Sequence, residues 1–179
     1  TPDGWVMLIS LGPRMLRCTS SDGFNFTAGE ILDVGGSVSD TVEVDGGWRT
    51  FFHVNATPQN GGRMRIRSAF TADGKTWRTE EGDRVVAPTG GPASLGVADP
   101  APVQLKDGSW LMALKSFIER GGGGGPQYTR SSGGPTPLRP PTGGGSGPRE
   151  HQVHSATSKD GLIWMRDEGV RLMSASVPC

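Results

Sequence analysis

The stretch Ile66-Arg67-Ser68-Ala69-Phe70-Thr71-Ala72-Asp73-Gly74-Lys75-Thr76-Trp77 decides the fold, because it reads as a strand that runs into a tight turn. Asp-Gly between two strand-like runs is a strong hairpin signal, since glycine accepts the positive φ that such a turn demands. The aspartate side chain can accept hydrogen bonds from backbone amides of its own turn. The aromatic residue three positions beyond the glycine can fold back over the hairpin and bury a large apolar face.

The same pattern occurs twice more, in Leu16-Arg17-Cys18-Thr19-Ser20-Ser21-Asp22-Gly23-Phe24-Asn25-Phe26 and in Val153-His154-Ser155-Ala156-Thr157-Ser158-Lys159-Asp160-Gly161-Leu162-Ile163-Trp164. A second Asp-Gly motif precedes each copy, as Asp3-Gly4-Trp5, Asp45-Gly46-Gly47-Trp48 and Asp107-Gly108-Ser109-Trp110. A full unit is therefore strand, turn, strand, loop, strand, turn, strand, repeated at a period of about 50 residues. This pattern predicts an all-β protein made of β-propeller blades, each with four antiparallel strands.

The spacing of the turns predicts one partial propeller over residues 1–179, with about three blades of a five- or six-bladed ring. Residues 1–36 form an incomplete first blade, 37–90 a second, and 91–175 a third that carries a glycine- and proline-rich insertion at 119–150. The insertion is expected to be a flexible, disordered loop, because it cannot bury enough apolar surface to offset its ordering entropy. Closed propellers need at least four blades. The chain is thus expected to be truncated or, as the alternative, to self-associate through open blade edges.

Composition narrows the classes of partner and cofactor. The 18 basic residues balance the 18 acidic ones, so no nucleic acid or anionic membrane is expected as a partner. No phosphate-binding loop or zinc motif is present, and no cofactor is expected. His151 and His154 are three apart on a predicted strand, where their side chains point opposite ways, so no metal site is expected. His53 is expected after a strand, as a packing or hydrogen-bonding residue.

In these motifs the chain resembles the glycosidase-type propellers. These are the five-bladed arabinanases and xylosidases of glycoside hydrolase family 43 and the six-bladed sialidases. Ala98-Asp99-Pro100-Ala101-Pro102-Val103, followed by Asp107-Gly108-Ser109-Trp110-Leu111-Met112, is similar to blade openings in these enzymes. The Ser-x-Asp-Gly turns resemble the sialidase Asp-box, which has one more residue between aspartate and glycine. The shorter turn and the lone Tyr128, inside the glycine-rich insertion, favour the family 43-like group. The resemblance implies a carbohydrate substrate and a secreted or periplasmic location.

Candidate catalytic residues come from the expected innermost strands, whose starts face the central channel of a propeller. Asp40 and Asp99 are expected at equivalent positions of adjacent blades. Glycoside hydrolysis needs two carboxyl groups across the sugar, and two such groups repel each other, so that one holds a proton more readily. The resemblance implies that Asp40 is the general base and that Asp99 orients and tunes its partner. It also requires a glutamate as general acid. The candidates are Glu119 and Glu150, which flank the insertion and do not lie on an expected inner strand; Glu119 is the one chosen. The alternative is that Asp40 and Asp99 only cap strand starts.

Trp48, Trp110 and Arg49 are the candidate substrate-binding residues, because aromatic faces stack on sugar rings and an arginine can bind a charged substrate group. In contrast, the turn residues are expected to be structural and to lie at the outer edges of the blades: Asp22, Asp73, Asp160, Trp77 and Trp164. The leading function is a glycoside hydrolase that acts through channel-facing carboxylates. The alternatives are a non-catalytic propeller that binds glycans or a protein, and an inactive fragment of a sialidase-like protein.

Overall fold

A computed structural model describes residues 1, 4–87, 94–118 and 150–175. These residues form thirteen β-strands and one short 3₁₀ turn, Pro58–Asn60. Within the described ranges there is no α-helix, and no helix is long and apolar enough to cross a membrane. The all-β prediction is confirmed. The expected insertion lies almost wholly outside the described residues.

The strands form three antiparallel sheets that follow one another along the chain. The first sheet consists of β1 (Trp5–Leu11), β2 (Arg14–Ser20) and β3 (Thr27–Leu32). The second consists of β4 (Ser37–Val44), β5 (Gly47–Val54), β6 (Arg65–Thr71), β7 (Arg78–Thr79) and β8 (Val85–Val86). The third consists of β9 (Ser94–Gln104), β10 (Trp110–Ile118), β11 (Glu150–Ser158), β12 (Trp164–Arg166) and β13 (Leu172–Ala175).

The second and third sheets share one strand plan. Strand order is β4-β5-β6-β7 in one and β9-β10-β11-β12 in the other. The outermost strand is in two pieces in both sheets, since β7 and β8 pair with β6, and β12 and β13 pair with β11. Asp45-Gly46 forms the predicted two-residue hairpin turn, with Gly46 at φ 80°. The first sheet has the equivalents of the last three strand positions.

One pairing recurs in all three sheets and joins the two Asp-Gly motifs. The tryptophan that follows the first turn lies opposite the serine or threonine that opens the second: Trp5 with Ser20, Trp48 with Thr71, and Trp110 with Ser158. Both turns therefore lie at the same end of each sheet. This common register allows each residue of one sheet to be matched to its counterpart in the next.

The aspartate of the second turn caps its own loop, as the sequence predicts. Its carboxylate accepts backbone N–H bonds of 2.8–2.9 Å from the residues two and three positions on: Phe24 and Asn25, Lys75 and Thr76, Leu162 and Ile163. These donors, chiefly the amide three residues on, hold the pKa of the Asp22, Asp73 and Asp160 carboxyls below their usual range.

The second sheet is packed between the other two. Phe51 and Phe52 are neighbours in β5, so their side chains leave opposite faces of the sheet. Phe52 packs in a cluster with residues of the first sheet and its exit loop: Met15, Leu32 and Val34. Phe51 packs in a cluster with residues of the third sheet: Val97, Met112, Leu114 and Ala156. Both phenylalanines are essentially inaccessible to solvent.

The turn aromatics also contact the preceding sheet, which the sequence did not predict. Trp164 meets Phe51 of the second sheet edge to face, with ring centroids 5.8 Å apart, while its Nε1 donates to the Gly161 carbonyl oxygen. Trp77 packs against the cluster shared by the first and second sheets. The reason is that a sheet face next to another sheet buries more apolar area than a hairpin alone.

The turn aspartates predict how stability depends on pH. Because their pKa values are lower in the folded chain than the unfolded value of about 4, the unfolded chain takes up protons first as pH falls. Stability is therefore fully present above pH 4 or so and decreases below it. We expect the variant Asp22→Asn/Asp73→Asn/Asp160→Asn to lose less stability between neutral and acidic pH than the parent does. Urea unfolding at several pH values measures this. An identical pH dependence in both proteins would contradict it.

Candidate functional site

Asp99 is held in a strained backbone conformation on the first strand of the third sheet. Its φ is 51°, in the left-handed region that non-glycine residues rarely occupy, and Pro100 follows it. Residues before proline favour extended conformations, so this geometry persists only where surrounding structure imposes it. The pairing of β9 with β10 shifts register between Ala113 and Lys115, opposite Asp99. A β-bulge at this point thus directs the Asp99 carboxylate.

The carboxylate of Asp99 lies between two basic side chains. Its Oδ2 is 3.5 Å from Nζ of Lys115, on the neighbouring strand β10. Its Oδ1 is 3.6 Å from Nδ1 of His53, which belongs to β5 of the second sheet. The side chain of Asp99 is 34% exposed and that of Lys115 is 32% exposed, whereas His53 is buried. The Asp99 group (Asp99, His53 and Lys115) therefore joins two sheets and remains open to solvent on one side.

His53 contacts Asp99 through one ring nitrogen. The backbone N–H of Asp99 donates to His53 Nδ1 over 3.4 Å, and Oδ1 of the same aspartate is 3.6 Å from that nitrogen. Burial lowers the pKa of His53, and the negative charge of Asp99 raises it in part. Contrary to expectation, His53 lies within β5 rather than after it; its hydrogen-bonding role is as expected.

Asp40 lies elsewhere on the inner strand of the second sheet. It is exposed, and its Oδ1 accepts the backbone N–H of Thr41 at 2.8 Å. Asp40 pairs with Phe51 in β5. Phe51 is three residues after Trp48. The residue at the same position of the third sheet is Ala101, because it pairs with Ala113, three residues after Trp110.

The expectation that Asp40 and Asp99 hold equivalent positions is therefore wrong. The counterpart of Asp99 is Val38, which sits in a bulge of the same kind and also has a positive φ, 43°. The two strands share the bulge but not the carboxylate. The sequence does not show the register of either strand pair, so both aspartates look like residues at the start of a strand.

The three predicted substrate-binding residues do not form one group. Arg49 and Trp110 line an open hollow of about 630 Å³ between the second and third sheets, with Glu43 and Asp160. Arg49 is engaged there in a two-pronged ion pair, with Nε 2.9 Å and Nη2 3.0 Å from the Glu80 carboxylate. Trp48 leaves the opposite face of β5, as the next residue along a strand must.

Trp48 instead shares a hollow with Asp40. This space, about 360 Å³, lies between the first and second sheets and is also lined by Trp77. One predicted catalytic residue and one predicted binding residue thus meet here, away from the Asp99 group. Glu119, the candidate general acid, lies outside the described residues.

A second buried histidine has a structural environment. His154 hydrogen bonds through Nε2 to Ser116 Oγ at 2.9 Å and through Nδ1 to the Gly169 carbonyl oxygen at 3.0 Å. Burial lowers its pKa. Among the described residues, no cluster of three or more histidine, cysteine, aspartate or glutamate side chains could hold a metal ion.

Sequence reasoning missed His53 and Lys115 as neighbours of Asp99. Lys115 follows a run of apolar residues in β10 and carries no motif, and His53 is in another sheet. Only the stacking of the sheets brings them together. A charged residue in a strand that is otherwise apolar is the one signal that could have identified Lys115.

Comparison with known proteins gives a distant structural likeness. No protein-family model matches the sequence, and no curated protein matches it. A crystal structure named "putative glycoside hydrolase", from Parabacteroides distasonis ATCC 8503, is similar over 76% of this chain, with a TM-score of 0.45 and 14% identity. The chain spans only 34% of the length of that protein.

The Asp99 group predicts a measurable coupling between Asp99 and His53. Asn tolerates a left-handed backbone, so Asp99→Asn removes the charge and keeps the fold. We expect the pKa of His53 to lie below its usual value of about 6.5 in the parent and to fall further in Asp99→Asn. NMR titration of the imidazole nitrogens measures both values. Asp107→Asn, in the exposed turn of the same sheet, is the control and should leave His53 unchanged. An unchanged His53 pKa in Asp99→Asn would show that the two groups are not in contact.

Proposed function

We propose that this chain belongs to a glycosidase-type β-propeller and hydrolyses a carbohydrate at the inner strands, where Asp99 is the central residue. The observation that carries the proposal is the strained backbone of Asp99, which holds a half-exposed carboxylate between His53 and Lys115. Strain of this kind often occurs at functional sites. Val38, at the counterpart position, has the same strained backbone, so what distinguishes Asp99 is the carboxylate that the bulge presents between two basic side chains. The sequence around Asp99-Pro100 is also the part that resembles family 43 enzymes.

The propeller arrangement in this proposal is supported by the way the sheets pack. Three antiparallel sheets follow one another in chain order, and the middle one buries both of its faces. The first strands of the second and third sheets, β4 and β9, contact each other. Adjacent first strands are what a central channel requires. The five- or six-bladed closure belongs to the same proposal.

The chemistry proposed for the site uses two carboxylates with unequal surroundings. Asp99 is positioned by the Lys115 ammonium group and by the neutral His53 ring, so it suits the role of orienting the substrate and its partner acid. Asp40 is exposed, and its Oδ1 accepts the backbone N–H of Thr41, so the carboxylate suits the role of general base that takes a proton from water. Glu119 is proposed as the general acid. A general base that activates water further requires that the acid and base lie about 6.5–9.5 Å apart across the sugar.

Activity towards a panel of aryl glycosides tests this proposal. We expect the parent chain to release the aryl group, and Asp99→Asn and Asp40→Asn each to reduce kcat/KM by about a hundredfold or more, the usual contribution of an acid or base. Asp107→Asn, which changes an exposed turn aspartate, should retain full activity. Equal rates in all four proteins would exclude a catalytic role for both aspartates.

A second function, glycan binding without catalysis, is favoured by the hollow that contains Trp48, Trp77 and Asp40. Aromatic rings beside a carboxylate are suited to sugars, because the rings stack on C–H faces and the carboxylate accepts hydroxyl hydrogen bonds. This hollow lies away from the Asp99 group, so binding there needs no second acid.

Calorimetric titration with oligosaccharides distinguishes the two functions. If the chain only binds glycans, we expect Trp48→Ala to weaken binding by about tenfold, since a stacked ring contributes 1–2 kcal/mol or so. Asp99→Asn should then bind normally, and no aryl glycoside should be hydrolysed. Weaker binding in Asp99→Asn but not in Trp48→Ala would instead place the sugar at the inner strands.

A further inference from the structure

The outer faces of the two end sheets are apolar and exposed. The first-sheet face is the side of the first sheet that faces away from the second: Trp5, Met7, Ile9, Leu11 and Ile31. The third-sheet face is the side of the third sheet that faces away from the second, and its exposed apolar residues include Val103, Met165 and Leu172. Contiguous apolar surface of this kind marks an interaction site.

The first-sheet face carries the same residue pattern as a face that is buried inside this chain. Trp5, Met7 and Ile9 correspond in register to Trp110, Met112 and Leu114 of the third sheet. The third-sheet trio is 4%, 0% and 2% exposed because it packs against the second sheet, whereas the first-sheet trio is 62%, 37% and 39% exposed. Tryptophan, methionine and an aliphatic residue at matching positions are thus covered in the third sheet and open in the first.

The third-sheet face corresponds, in turn, to the surface that covers that buried trio. Val103 and Leu172 are the counterparts of Val42 and Val85, which lie on the side of the second sheet that packs against the third. Val85 is 4% exposed, whereas Leu172 is 62% exposed. The two open faces are therefore the two halves of a junction that the chain already contains.

Polar contacts at the two junctions within the chain also indicate that the first-sheet face fits the third-sheet face. At each junction an arginine of one sheet donates to a carbonyl oxygen in the Asp-Gly turn of the next: Arg17 Nε to Gly74 at 2.6 Å, and Arg84 Nη1 to Leu162 at 2.8 Å. Arg171 is the counterpart of Arg84, since the backbone amide of each donates to the central strand at the same register position. Its side chain is 52% exposed; Nε donates to Ser155 Oγ at 2.8 Å and Nη2 is 3.5 Å from Asp167 Oδ2, so Nη1 is the group that would donate across a further junction, as Nη1 of Arg84 does.

We propose that a second copy of this chain binds head to tail, its first-sheet face packing on the third-sheet face of the first copy. Arg171 then donates to the first-sheet turn of the second copy, at the Phe24 carbonyl oxygen, which corresponds to Leu162. Each copy has one face of each kind, so two copies cover all open faces by closing a ring of six sheets. Six sheets are within the range of closed propellers. A second copy is the expected partner, because its first-sheet face would repeat the packing that is already present at the two junctions within the chain.

The oligomeric state of the full chain in solution tests this proposal. We expect sedimentation velocity to give a dimer, with twice the chain mass of 18.8 kDa. Met7→Lys and Leu172→Lys should each weaken dimerisation by a hundredfold or so, because each places an unpaired ammonium group in an apolar contact. Val86→Lys, an equally exposed position outside both faces, is the matched control and should leave the dimer intact.

Contact between unlike faces predicts a result that contact between like faces does not. Both single variants must dissociate the dimer, and a mixture of Met7→Lys with Leu172→Lys must recover a one-interface dimer from the two intact faces. If only one of the two variants dissociates, the contact joins like faces and the proposal is wrong. A monomeric parent at all concentrations also overturns it, and leaves the open faces to further sheets of a longer chain. Should a lysine variant fail to fold by circular dichroism, Arg171→Ala replaces it and should weaken the dimer by about tenfold.

Discussion

The structure depends on the two-sided burial of the second sheet. Phe51 and Phe52 are adjacent in β5, and a strand must send them to opposite faces. Each ring is withdrawn from water by a different neighbouring sheet, so the pair fixes the order of the three sheets. Burial of a phenylalanine stabilises by about 1.5–3 kcal/mol, and no sheet here buries both faces without neighbours on both sides. The packing of sheet on sheet therefore holds the three sheets in their order.

The stacking also creates the Asp99 group. Asp99 and Lys115 belong to the third sheet and His53 to the second, so the group exists only where the two sheets meet. Because His53 is buried by the same packing, its ring stays neutral and accepts the Asp99 amide. The strained φ of Asp99 is tolerated because Ala98 and Val97, just before it, are buried in the junction. Packing energy from the core thus holds the one conformation that a free Asp-Pro segment would avoid.

What the sequence predicts well is local, and what it misses depends on contacts between strands. The Asp-Gly turns can be predicted from the sequence, because the aspartate carboxylate binds backbone amides two and three residues further on. The structure has these turns at Asp22, Asp73 and Asp160. The bulges at Val38 and Asp99 leave no local mark, since a bulge is defined by the partner strand. Placing both aspartates at strand starts therefore matched Asp40 with Asp99, whereas the register matches Asp99 with Val38. The partners of Asp99 were likewise unreachable, because His53 lies 46 positions away in another sheet.

The open end faces and the inner-strand site are separate features of one architecture. The Asp99 group lies at the junction of the second and third sheets, which is complete within a single chain. The first-sheet face and the third-sheet face lie at the two ends of the stack. Covering them changes no contact of Asp99, so the local geometry of this group does not require a partner. Asp40, in contrast, borders the hollow beside the first sheet, whose outer side is open. A neighbour that immobilises the first sheet would thus affect Asp40 before Asp99, and would link the assembly of the stack to the more exposed of the two carboxylates.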